Sequence, residues 1–162
     1  MSKIATKAAG NVFYEARFEA STKNDRLSSR EGAAEELGID RTRLARIELG
    51  SLMPYPEEVL LMADLYNAPE LKNYYCREVC PLGYDVPKIE LDDLDRITIK
   101  ALASFRRLSE TKDILLDITE DGVISSNEKP ELEKILSNLD EVAGVAQSLK
   151  AWVEKNLLKG GF

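Results

Sequence analysis

The stretch that most constrains this chain is Ser29 to Gly50, SREGAAEELGIDRTRLARIELG. It reads as two short helices joined by a tight turn. Ser29 is a good N-cap, and Glu31 places an acid in the first turn, where the helix end is positive. Ala33, Ala34 and Leu37 set small and apolar side chains on one face at helical spacing. Gly38 follows at the position where freedom to take φ > 0 ends a helix. Ile39 is the buried residue of the turn, and Asp40 caps a second helix starting at Arg41. There Leu44 and Ile47 face inward, while Arg41, Thr42, Arg43 and Arg46 point elsewhere. Gly50 closes it. The first helix is nearly featureless outside and the second carries three guanidinium groups. A helix-turn-helix needs that asymmetry, because only its second helix enters a groove.

On these residues the chain resembles the lambda-repressor-like, XRE-type helix-turn-helix regulators of bacteria and phages. The resemblance covers Val12 to Pro69. Arg30 stands where the family usually has a Gln that contacts the phosphate backbone. Arg41, Thr42, Arg43 and Arg46 stand at exposed recognition-helix positions, and Glu48 with Gly50 matches the family's helix ending. Pro54, followed by Pro56-Glu57-Glu58-Val59-Leu60, is similar to the loop and fourth helix. Two departures stand out: Gly32 and Ala33 replace larger residues, and the link from Ala20 to Leu27 is longer than usual. The resemblance implies a five-helix domain that binds duplex DNA. It also places Tyr55 where the chain approaches DNA, to hydrogen-bond a phosphate or simply to pack.

Composition narrows the rest. With 162 residues, 44% hydrophobic and 31% charged, the chain is expected to be globular. It has no run of 18 apolar residues and no signal-peptide core, so a cytoplasmic protein with no membrane partner is expected. The net charge of −7 excludes a non-specific coat for nucleic acid. Yet residues 1–84 carry 11 Lys and Arg against 13 Asp and Glu, and residues 85–162 carry 11 against 16. Screening acts over about 8 Å at physiological salt, so Arg30, Arg41, Arg43 and Arg46 can form a local basic face. Glu35, Glu36 and Asp40 temper it.

Met1 to Gly10 reads as a loose arm, and helix one runs from near Asn11 to about Thr22. Val12, Phe13, Ala16 and Ala20 form one stripe, with Tyr14 and Phe18 on the other side. Lys23 to Arg26 is expected to be a polar connection. Val59, Leu60, Met62, Ala63 and Tyr66 predict a helix apolar on too many sides to lie at a surface. Asn67-Ala68-Pro69 breaks it before a short helix, Glu70 to about Val79. Cys76 and Cys80 read as structural thiols, since a zinc site would need two more ligands and the chain has no His. Only a dimer pooling four thiolates could close one.

From Asp92 the pattern changes. Leu94, Ile97, Ala101, Phe105, Leu108, Leu115 and Ile118 mark a long helix. In a second, starting near Pro130, Leu132, Leu136, Leu139, Ala143, Ala146, Val153 and Leu157 alternate at four and three, interrupted by Lys150. Ile135, Val142, Leu149 and Trp152 widen that face beyond what one partner helix covers, which predicts a homodimer. The connection Asp117 to Glu128 has the spacing of a calcium loop, with Asp117, Thr119, Asp121, the Val123 carbonyl, Ser125 and Glu128 as ligands. The same residues also read as a plain interhelical turn, with Gly122 at φ > 0 and Ser125, Ser126 and Asn127 as caps.

The expected fold is all-α: a five-helix domain over 1–84 and a C-terminal antiparallel helical hairpin, coiled-coil-like, over 85–162. The expected function is that of a dimeric transcriptional regulator binding specific duplex DNA, with no catalytic constellation and no cofactor other than the calcium of that loop. The alternative is an adaptor that uses the helix-turn-helix to dock a protein, with the calcium loop as its sensor.

Overall fold

The computed structural model describes residues 7–120 and 122–158. Among these residues every regular element is helical and none is a strand. None of the described helices is long and apolar enough to cross a membrane. The chain divides into two compact units, one running to Val86 and one spanning Pro87–Leu158.

The first unit holds α1 (Val12–Ala20), a 3-10 turn (Asp25–Ser28), α2 (Arg30–Leu37), α3 (Arg41–Glu48), α4 (Pro56–Leu65) and α5 (Glu70–Glu78). Side-chain caps start three of the helices. Asn11 Oδ1 accepts the N–H groups of Phe13 and Tyr14 at 3.0 and 3.1 Å. Ser29 Oγ accepts from Gly32 at 3.0 Å, and Asp40 Oδ1 from Arg43 at 2.9 Å. Each cap contributes roughly 1 kcal/mol by satisfying donors that a helix start leaves unpaired. Gly38 ends α2 at φ 67°, as the turn requires. Leu44, Ile47, Met62, Leu71 and Leu27 are the most deeply buried large aliphatic side chains of the core.

Three expectations need correction. Lys23 to Arg26 is not merely a polar link: Asp25–Ser28 coils into the 3-10 turn and drives Leu27 into the core. Nor is α4 covered all round, since Leu60 and Leu61 are 58% and 49% exposed while Val59, Met62 and Ala63 face inward. Of the arm, Met1–Thr6 lie outside the described residues, but Ala8 is buried rather than loose.

The 3-10 turn accounts for Gly32 and for the long link together. A Cβ placed on Gly32 would lie 2.2 Å from the Arg26 carbonyl oxygen. The extra residues of the link thus lie on the first turn of α2, and only glycine leaves room for their backbone. Gly32→Ala is expected to destabilise the protein by about 1–3 kcal/mol through overpacking against a rigid carbonyl. Denaturant unfolding of the variant measures it.

In the second unit α6 (Leu94–Thr119) and α7 (Lys129–Val153, prolonged by a π-helical turn, Glu154–Leu158) pack antiparallel. On α6 the seam keeps much of the predicted stripe, with Ile97 and Ile118 buried, but on α7 it departs from the predicted one. On α6, Ile97, Ser104, Thr111 and Ile118, seven residues apart, are buried, while Phe105 is exposed. On α7, Ile135, Asn138, Gly144, Ser148 and Ala151 are buried. The predicted α7 stripe lies outside, with Leu136 and Leu139 at 52% and 40% exposure. The small residues Gly144 and Ser148 admit the backbone of the segment that precedes α6. Gly144 lies where an added Cβ would be 3.4 Å from the Lys88 carbonyl oxygen, and Ser148 Oγ accepts the Glu90 N–H at 3.0 Å. The seam hydroxyls of Ser104, Thr111 and Ser148 donate to carbonyls of their own helices, so none is buried unsatisfied.

Candidate nucleic-acid interface

The α2–turn–α3 pair is oriented by a buried charge cluster that the sequence pattern does not announce. Glu48, at the end of α3, is fully buried. Its Oε1 accepts from Arg17 Nε at 2.5 Å and its Oε2 from Arg17 Nη2 at 3.0 Å. Arg30 Nε donates to the same Oε2 at 2.6 Å. Arg17, itself buried, spends its remaining arm on the Leu27 carbonyl at 2.7 Å. Burial works against the Arg17 charge, but the hydrogen bonds and charge of Glu48 outweigh it and its pKa is raised. Asn11 adds a fourth tie, its Nδ2 donating to the Ile47 carbonyl at 2.9 Å. One carboxylate therefore joins α1, α2, α3 and the 3-10 turn. Beside it lies the Tyr66 hydroxyl, which has no hydrogen-bond partner among the described residues. Burial first, and the Glu48 charge second, push its pKa up.

The sequence-predicted contact residues separate into held and free. Arg30 is half-buried on Glu48. Arg43 is clamped: Nε and Nη2 meet Glu58 Oε1 and Oε2 at 2.5 and 2.8 Å, and its guanidinium lies 4.3 Å from the Tyr55 ring centroid. Glu58 also accepts the Tyr55 N–H at 2.7 Å, so this clamp fixes the start of α4. The Arg43 hydrogen bonds are the main reason the Glu58 pKa lies below the ordinary carboxylate value. Arg41, Thr42 and Arg46 are exposed on α3. Among the described residues neither Arg41 nor Arg46 has a carboxylate partner. Tyr55, 62% exposed, turns one ring face to Arg43 rather than standing alone between prolines.

The other candidates are placed as follows. Cys76 is exposed and Cys80 half-buried, and neither forms a disulfide. Asp117 and Thr119 belong to the last turn of α6, where Thr119 Oγ1 donates to the Leu115 and Leu116 carbonyls. Val123 and Ser125 lie exposed in the connection. Glu128 Oε2 accepts the Ser125 N–H at 2.7 Å, so Glu128 rather than Ser125 or Asn127 caps this turn. Asp121 lies outside the described residues. Among those described, no three His, Cys, Asp or Glu side chains form a metal-holding group.

What the first unit presents is thus a short helix carrying two free arginines and a third held by an internal carboxylate. No family model, curated protein or solved structure matches the chain.

Two measurements follow from this geometry. Glu48→Gln leaves the Arg17 guanidinium buried without a counter-charge, and a loss of about 3–5 kcal/mol is expected in chemical unfolding. The Glu58 clamp sets a pH dependence of defined sign. Because the folded pKa is depressed, its stabilisation is complete above the ordinary value of 4.5 and is lost as pH falls through the lower folded value. Wild type and Glu58→Gln should differ in melting temperature at neutral pH and converge in acid.

Proposed function

We propose that the protein is a dimeric regulator of the lambda-repressor-like, XRE-type helix-turn-helix class that binds specific duplex DNA through α3. The first unit is its reading head, and the second, a coiled-coil-like helical hairpin, holds two copies together. The observation that carries the reading is the outer face of α3, with Arg41, Thr42 and Arg46 exposed on a helix whose other side is anchored by Leu44, Ile47 and Glu48. Arg41 and Thr42 lie in the first turn, where such helices meet base edges. Arg46 lies further along, in place to hold a phosphate. Arg43 joins them by exchange. Its two donors grip a carboxylate side by side, and the O6 and N7 of guanine offer the same paired acceptors. Glu58 therefore competes with DNA for Arg43, and Arg30 in the same way divides its charge between Glu48 and a phosphate.

One observation favours a second reading, a protein-docking adaptor. Leu49, Met53, Leu60 and Leu61, all between the end of α3 and the middle of α4, are each more than 40% exposed. A surface that binds only phosphates has no use for them.

Selection of bound sequences from a random duplex pool decides between the two. The DNA reading expects an enriched motif. Arg46→Ala should weaken all sequences alike and make the salt dependence shallower by about one unit of slope. Arg41→Ala should relax one base position, at about 1–3 kcal/mol of discrimination. Glu58→Gln should tighten binding by releasing Arg43. Enrichment of nothing at low salt would leave the adaptor reading in its place.

A further inference from the structure

The heptad stripe on α7 lies outside the α6–α7 seam, and its order of side-chain sizes suggests what covers it. Leu136 and Leu139 are exposed at its N-terminal end, with Leu132 half-buried. Ala143 and Ala146 are exposed in the middle. Beyond them come Lys150, the half-buried Val153, and Leu157 in the π-helical turn. Over its length, about 38 Å at 1.5 Å per residue, the stripe is bulky at both ends and small at its centre. Reversed end to end it matches itself. Leu136 falls opposite Val153, Leu139 opposite Lys150, Ala143 opposite Ala146, and Leu132 at the level of Leu157. A surface that complements its own reversed copy is what a two-fold interface requires, where residue i meets j and j meets i.

We propose that α7 pairs antiparallel with α7 of a second copy, about a two-fold axis between Ala143 and Ala146. The inference rests on the reading of the protein as a dimer and adds the helix, the direction and the register. The central alanines let the two backbones approach closely, and the leucines at either end fill the space where the helices diverge. On the flank of the stripe, Val142 comes beside Leu149 of the second copy, which gives the widened apolar face its use. Helical periodicity sets Leu94, Leu102, Phe105 and Leu116 of α6 on the same side of the antiparallel pair, all at least 39% exposed. A second copy covers them too, adding apolar area toward the about 800 Å² per partner that a stable interface needs.

Lys150 chooses the direction. Parallel pairing would bring each Lys150 against its symmetry mate within the apolar seam. Antiparallel pairing sets it against Leu139, next to the Asp140 carboxylate of the second copy. The register creates one like-charged pair, Glu133 with Glu154 of the second copy, at the solvent-facing edge where repulsion is weak.

The test uses the full chain with Cys76→Ser and Cys80→Ser, so that introduced cysteines report alone. Sedimentation at tens of micromolar should show a dimer. Leu139→Asp should make it a monomer with an unchanged helical circular-dichroism spectrum. Lys150→Leu and Glu133→Lys should each tighten it, by about tenfold for the former; damage to the fold cannot mimic that gain. Under mild oxidation, Ala143→Cys protein mixed with Ala146→Cys protein should cross-link between the two variants in preference to either with itself. A wild-type monomer overturns both this inference and the dimer reading. A dimer in which Ala143→Cys links mainly to itself, or in which Lys150→Leu and Glu133→Lys change nothing, overturns the register and leaves the dimer standing.

Discussion

The Glu48 carboxylate is the point on which the first unit turns. A fully buried acid in a small helical domain is tolerated only when its charge is matched, because an unpaired buried ion costs several kcal/mol. Here the match comes from two guanidinium groups on two other helices. None of α1, α2 and α3 can rotate about its axis without exposing or orphaning that charge. Hydrophobic burial alone would leave such freedom, since Ala33, Ala34, Leu44 and Ile47 are small or smooth enough to slide. The charge cluster sets the angle at which α3 stands out from the domain, while the apolar core supplies most of the free energy.

That cluster also shows where sequence reading stops. The helices, the Ser29 and Asp40 caps, the αL turn at Gly38 and the inward side of α3 all follow from local periodicity and cap chemistry, and all are legible. Arg17, Arg30 and Glu48 lie 13 and 18 residues apart in the chain, and nothing local tells a surface arginine from one serving a buried acid. A helix-ending glutamate next to Ile47 was the available signal, since position 48 adjoins the buried face. Gly32 gave another. A glycine in the first turn of a short helix is unfavourable by about 1 kcal/mol unless something occupies the space of its side chain. The extended link before Ser29 was the thing that did.

The arginines of α3 were legible as a group but not as individuals. Periodicity puts Arg43 on the outside, and it is outside, yet Glu58 and Tyr55 arrive from the start of α4 to hold it. The acidic first turn of α4 satisfies its own N-terminal donors and an arginine of the neighbouring helix with one carboxylate. Overall acidity and a basic face on α3 are therefore compatible: part of the acid is consumed in fixing arginines in place. The same arrangement limits the face, since a clamped guanidinium gives up a good partner before it can take another.

In the second unit the two helices and the Ile97 and Ile118 side of α6 are legible, and the inward face of α7 is not. Spacing at four and three reports a stripe suited to a helix partner, and it does not say which partner. On α7 the residues buried within the unit, Ile135, Asn138, Gly144, Ser148 and Ala151, lie apart from the stripe of leucines and alanines. If burial of aliphatic area were the only requirement, α6 would take the leucine surface. Instead the stripe stays exposed, while Gly144 and Ser148 take the backbone of residues 87–90 against them. The richer surface is left over. Leu136, Leu139 and Leu157, between 40% and 57% exposed, each forgo part of the roughly 1.5–3 kcal/mol that full burial of a leucine contributes, and that is the physical ground on which a partner for this face is proposed.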